Sequence, residues 1–284
     1  VLAELLNRHF PPAELIAIRF AGSLLLTIAI FGRSMLRHAP QPRSMSEADS
    51  HGSALSPMII AMFAGFALAG AAFTQSYGIY LTGAPVHSAF LSALIAICIP
   101  FLQKLFGDAL SLRRVLFPVG LSVIGTAMLI KWSVPKLGDV LLIICAVFYA
   151  LQSTLIGKIK KRIHYAAAHA IACMCCILSA VPFLATIDHK TLICPSTFIE
   201  WIGLAALAIL FTFVPWNLVH YAQQFKNIDA YQVGLLYTLE PVVTAGIGIP
   251  LMYLSSYISV QPLSILGCFL IVAANERMAK LDAS

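Results

Sequence analysis

One carboxylate sets the first question. Glu240 stands near the middle of the apolar run 229–252 and is followed at once by Pro241. A charged side chain at the centre of a membrane span costs about 2.5–3.5 kcal/mol on insertion scales, so it should face a cavity or a partner. Pro241 has no N–H and leaves the carbonyl of Tyr237 without its helical donor. At that depth only protein or water can satisfy the carbonyl. At helical spacing Tyr237, Glu240, Thr244 and Gly248 share one face. The stripe suits a binding group for a polar solute or for a proton. It also suits a Glu that hydrogen-bonds helices together.

Other polar residues repeat within apolar runs. Phe213, Asn217, His220 and Gln224 recur at helical spacing, with Trp216 and Tyr221 beside them. One polar side chain in a span is often a bond between helices, but three on a stripe point to the lining of a cavity. Gln75 and Tyr80, with Thr74, occupy the run 57–80; Tyr149 and Gln152, with Ser153, occupy 137–157. Arg19, seven residues beyond Pro12, either snorkels to the interface or meets an anion or carboxylate at a cavity mouth.

Catalytic arrangements are missing. There is no His-Glu-x-x-His and no phosphate-binding loop of the Walker type. Asp108 and Asp139 stand at span ends, and the adjacent His87 and Ser88 do not face each other. Six of the seven cysteines lie in apolar runs, and Cys173, Cys175 and Cys176 read as packing residues, not metal or redox ligands. Neither a cofactor nor a metal is expected.

The elements that must carry these residues follow from composition. Of 284 residues, 60% are hydrophobic and 11% charged, with a mean hydropathy of +0.89. A soluble domain carries about 25% charged residues, so a water-facing surface cannot be built here, and disorder is excluded by the apolar content. Apolar runs at 13–36, 57–80, 85–106, 112–132, 137–157, 165–187, 198–222, 229–252 and 257–275 predict nine spanning helices. The first ten residues read as the tail of another, so the expectation is an all-α bundle of ten spans with the first truncated. Residues 37–56, rich in Pro, Ser and charge, read as a polar loop.

Charge then sets orientation. The net charge of +6 would suggest nucleic acid in a soluble chain; here its placement matters more. Thirteen of the 18 Lys and Arg fall after even-numbered spans and five on the opposite side. The asymmetry predicts a cytoplasmic C-terminus and a cytoplasmic 37–56 loop. The basic run Lys158, Lys160, Lys161 and Arg162 contributes most to it, with anionic lipid a secondary partner.

The two halves resemble each other. At an offset of 141, Ala89 meets Ala230, Leu94 meets Leu235, Pro100 meets Pro241 and Gly107 meets Gly248. Five spans per half is an odd number, so the halves, 1–132 and 137–277, would enter the membrane in opposite senses. That is the inverted-repeat plan of secondary transporters, with Pro100 and Pro241 as paired hinges.

PPAELIAIRF at 11–20, GAPVHSAFLSALIAICIP at 83–100, GDVLLIICAVFYALQSTLIGK at 138–158 and AYQVGLLYTLEPVVTAGIG at 230–248 resemble the drug/metabolite transporter superfamily, EamA type. The resemblance implies a ten-helix carrier in the plasma membrane with a central substrate cavity. It moves an amino acid, related metabolite or drug-like compound, usually outward. Separately, a buried Glu240 would suit a proton as coupling partner. A nucleotide-sugar or other organic-anion carrier is the alternative within the superfamily, and would want more cavity cations than Arg19 alone. A channel would want a ring of charges or carbonyls, and an intramembrane enzyme the catalytic sets missing above. Oligomeric state is not legible.

Overall fold

The computed structural model describes residues 10–37, 56–82, 94–107, 112–129, 137–159, 162–186, 197–225 and 230–237. Short stretches at 266–267, 269–270, 272–274 and 276–277 and the single residues 6, 195 and 228 complete it. Its helices are α1 (Pro12–Arg37), α2 (Pro57–Thr82), α3 (Ile95–Leu105), α4 (Leu112–Leu129), α5 (Leu137–Lys158), α6 (Tyr165–Thr186), α7 (Phe198–Ala208), α8 (Val214–Ala222) and α9 (Ala230–Tyr237). A π turn, Ile209–Phe213, joins α7 to α8. No strand occurs among the described residues.

Five helical stretches are long and apolar enough to cross a membrane: Pro12–Arg37, Pro57–Thr82, Leu137–Lys158, Tyr165–Ala185 and Phe198–Ala222. The sequence predicts spans at each of these places, with ends within two residues. Of the run 85–106 only α3 is described, and of 229–252 only α9. The 37–56 loop is described only at its ends.

The helices are built for lipid outside and close contact inside. On α5 the outward stripe is Val140, Ile143, Ile144 and Val147, all exposed, while Leu142, Cys145, Ala146, Tyr149 and Ser153 face inward and are buried. Large apolar groups thus sit outside and small or polar ones inside, the reverse of a water-soluble helix. The most extensive helix pair is α2 with α5, followed by α1 and α2 against α6. Glycine lets the first pair approach. A Cβ on Gly138 would stand 2.6 Å from Thr82 Cγ2 and 2.9 Å from the carbonyl of Gly78, and one on Gly78 would stand 2.7 Å from Leu142. The backbones are therefore nearly in contact.

Local chemistry ends the helices. Thr197 and Glu200 form a capping box at the start of α7: the Thr197 N–H donates to Oε2 of Glu200 at 3.2 Å, and the Glu200 N–H donates to Oγ1 of Thr197 at 3.3 Å. Gly107, at φ 83°, closes α3. The π turn precedes Pro215, whose ring would crowd the carbonyl of Phe211 in a regular helix, and the wider turn relieves that crowding. Thr212 Oγ1 donates to the Leu207 carbonyl at 2.9 Å, satisfying a backbone acceptor at the widened turn.

Gly138→Val should therefore separate α2 from α5 and lower stability by about 1–3 kcal/mol, the usual cost of overpacking. Thermal unfolding in detergent reads this. Gly120→Ala, where an added Cβ meets nothing within 4 Å, should leave the melting temperature unchanged.

Candidate functional site

The polar residues of five helices meet inside this apolar bundle. On α1, Arg19, Ser23 and Thr27 repeat at every fourth position, and all three are buried. Ser23 Oγ lies 2.8 Å from Nε2 of His169 on α6. The same nitrogen is 3.4 Å from the thiol of Cys173, one turn along α6. Thr27 turns its hydroxyl back to the Ser23 carbonyl at 2.8 Å and is satisfied locally.

His169 faces His220 of α8 edge to face, their ring centroids 5.6 Å apart. Nε2 of His220 lies 3.0 Å from the side-chain nitrogen of Gln152 on α5. An amide nitrogen only donates, so in this arrangement His220 Nε2 accepts and the ring proton sits on Nδ1. Next along α5, Ser153 Oγ accepts from the Gln223 side chain at 2.9 Å. His169, His220, Gln152, Ser153 and Gln223 are each at most 1% exposed. Among the described residues, Nδ1 of both histidines, Oδ1 of Asn217 and Oε1 of Gln223 have no hydrogen-bond partner. Buried polar groups are normally paired, so this cluster has unused capacity.

An aromatic group adjoins it. Tyr149 stacks on Trp216 at 5.5 Å and on Tyr237 at 6.4 Å, and Trp216 lies 6.2 Å from the His220 ring. The Tyr149 hydroxyl donates to Gln75 Oε1 on α2 at 2.9 Å. Gln75, Tyr149, Gln152, Trp216, His220 and Tyr237 thus form one continuous region, with Asn217 buried beside Trp216 and donating to the Phe213 carbonyl at 2.9 Å.

Not every residue the sequence singles out joins them. Tyr80 is 58% exposed, on the outer surface of α2. Gln224 lies past the end of α8, in a turn, and is half-buried; its neighbour Gln223, three residues beyond His220 and on the same face, is buried. Thr74 bonds back to Gly70 of its own helix. Arg19 is buried against the bundle and does not snorkel along its surface. Glu240, Pro241 and Thr244 lie outside the described residues. Pro100 sits within α3, packed in the bundle.

The sequence reading missed His169, Ser23 and Gln223. A signal existed for two of them. Ser23 falls on a stripe with Arg19 and Thr27, and a lone His in the Ala-rich start of α6 must find a partner in an apolar medium. Its contact with Cys173 also qualifies the reading of that cysteine as packing alone. Among the described residues no three His, Cys, Asp or Glu are grouped to hold a metal. The cluster is rich in groups that donate and accept hydrogen bonds, an assembly that suits recognition.

Residues 136–274 match the EamA-like transporter family. The matched stretch, just under half of the chain, is EamA-like. The EamA-like region holds α5 to α9, and with them Tyr149, Gln152, His169, Trp216 and His220. A solved crystal structure has the same fold, at a TM-score of 0.68 and 18% identity, over 100% of this chain and 95% of its own. No curated protein matches the chain. The match and the long apolar helices make the protein an integral, multi-pass membrane protein with an EamA-like region.

Ser23→Ala should leave Nε2 of the buried His169 with only the 3.4 Å contact to the Cys173 thiol and cost about 1–3 kcal/mol. His169→Leu in the same chain should recover part of that loss. A double-mutant cycle on melting temperature measures the coupling; simple additivity would show that the 2.8 Å contact contributes nothing.

Proposed function

We propose that this EamA-like protein is a secondary active transporter. It moves a small metabolite, amino acid or drug-like compound, in the export direction, by alternating access. Its ten spans form an inverted five-plus-five repeat, and one half rocks against the other around the polar cluster. The 37–56 loop and the C-terminus face the cytoplasm, and the membrane is the plasma membrane.

The observation that carries this reading is the buried polar cluster itself. It joins α1, from the first half, to α5, α6 and α8 of the second. A cluster at that boundary breaks and reforms when the halves move. The helix contacts add support, since they come in the pairs that an inverted repeat generates. In such a repeat α1 and α6 are equivalent spans, and so are α3 and α9; each pair packs together. The contact of α2 with α6 has its counterpart in α1 with α7.

Within this reading Gln75, Tyr149, Gln152, Asn217, His220 and Tyr237 line the substrate path. Glu240, with Thr244 one turn on, supplies its carboxylate, and a proton bound there is the coupling ion. Pro100 and Pro241 supply the hinges.

Counterflow in proteoliposomes against a panel of amino acids, nucleobases and drug-like amines tests the class. Accumulation of at least one labelled compound is expected. Ohmic current without counterflow would indicate a channel, and turnover in detergent an enzyme. Glu240→Gln keeps the shape but cannot ionise. It should cut the counterflow rate about tenfold or flatten its pH dependence, while expression holds, if the carboxylate carries substrate or proton. A wild-type rate and pH profile would leave Glu240 a structural partner. For orientation, a cysteine at Ser46 should resist impermeant thiol reagents in intact cells; labelling from outside would reverse the topology.

A further inference from the structure

Arg19 is a buried cation on α1. It is 9% exposed, on the face of α1 that packs against α6. Its guanidinium carbon lies 4.7 Å from the ring centroid of Phe20, its own neighbour. Its Nε has no hydrogen-bond partner among the described residues. Glu14, also buried, is five residues earlier on α1, about 140° around the helix at 3.6 residues per turn, and has an interaction of its own.

Guanidinium does not escape burial by losing its proton. An unpaired charge in a low-dielectric interior is expensive, and proteins keep one only where something pairs with it. One turn from Arg19, the Ser23–His169 pair offers further polar groups, with Nδ1 of His169 unused among the described residues. The planar fork of an arginine matches a carboxylate, which it can hold through two parallel hydrogen bonds. A single cation balances a single negative charge. A phosphate dianion would leave excess charge buried.

We infer that Arg19 binds the carboxylate of the transported solute, and that the substrate class is a small organic monocarboxylate, amino acids included. This rests on the transporter reading for the word "transported"; the binding itself can be tested without it.

Two measurements on the purified full chain decide it. The first needs no ligand. Removing a cation without a partner among the described residues should leave Arg19→Gln and Arg19→Met folded and at least as stable as wild type by thermal unfolding. A marked loss of melting temperature, or failure of both variants to fold, would mean that Arg19 has a partner within the chain and would overturn the inference. The second compares acids with their primary amides at millimolar concentration: leucine with leucinamide, phenylacetate with phenylacetamide, and inorganic phosphate as a separate arm. At least one acid should raise the melting temperature while its amide does not. Arg19→Gln should raise the half-saturating concentration by about tenfold or more, as expected for loss of a charge-assisted contact, and Arg19→Lys should fall between. Stabilisation by amide and acid alike, by phosphate alone, or by no acid would overturn it, as would an unchanged response in Arg19→Gln. Counterflow confined to compounds without an acidic group would defeat this inference and leave the transporter reading standing. Acid-specific stabilisation through Arg19 without any counterflow would do the reverse.

Discussion

Hydrocarbon offers no hydrogen bonds. Every polar group within the membrane must find its partner inside the protein, and the rest of this structure follows from that requirement. The helices satisfy their own backbones. Thr27 and Thr74 bond back to their own helices, and polar side chains without such a partner collect on one inward region. Ser23 turns to His169, His220 to Gln152, Gln223 to Ser153 and Tyr149 to Gln75. Each of these bonds joins different helices, so the polar cluster also specifies how α1, α2, α5, α6 and α8 assemble.

Association of the helices cannot rely on the hydrophobic effect, since lipid tails are as apolar as leucine. Close backbone approach does the work at the α2–α5 contact, where Gly78 and Gly138 face each other. Near the opposite end of that pair, the Lys158 ammonium donates to the Phe106 carbonyl at 3.0 Å and ties the end of α5 to the end of α3. At the start of α6, Nδ1 of His164 accepts from the Ala166 N–H at 3.3 Å, and its Nε2 lies 3.2 Å from Ser34 near the end of α1. The bundle is thus tight at the Gly78–Gly138 contact and polar around His169 and His220.

Much of this was legible in the sequence. Runs of apolar residues located the five long helices almost to the residue, because a span must be long and apolar whatever it packs against. The stripe of Asn217 and His220 was legible for the same reason: polar residues one turn apart share a face. At the next step Gln224 is half-buried, and Gln223, three residues beyond His220 on the same face, is the more deeply buried of the two. Tyr80 lies outside because an amphipathic tyrosine near a span end is equally at home at the interface. His169 escaped notice because its partner Ser23 is 146 positions away, and a single sequence carries no record of such pairing.

In the proposed alternating-access cycle the buried cluster opens to water, which sealed glue between helices would not do. Ser153 is 0% exposed and in contact with Gln223, so it reports any opening. In a chain with its native cysteines replaced, Ser153→Cys can be exposed in liposomes to a small methanethiosulfonate reagent. The account predicts slow but complete labelling, faster under counterflow with a transported compound. A thiol that stays unreacted, while a control cysteine at the exposed Tyr80 labels readily, would contradict it.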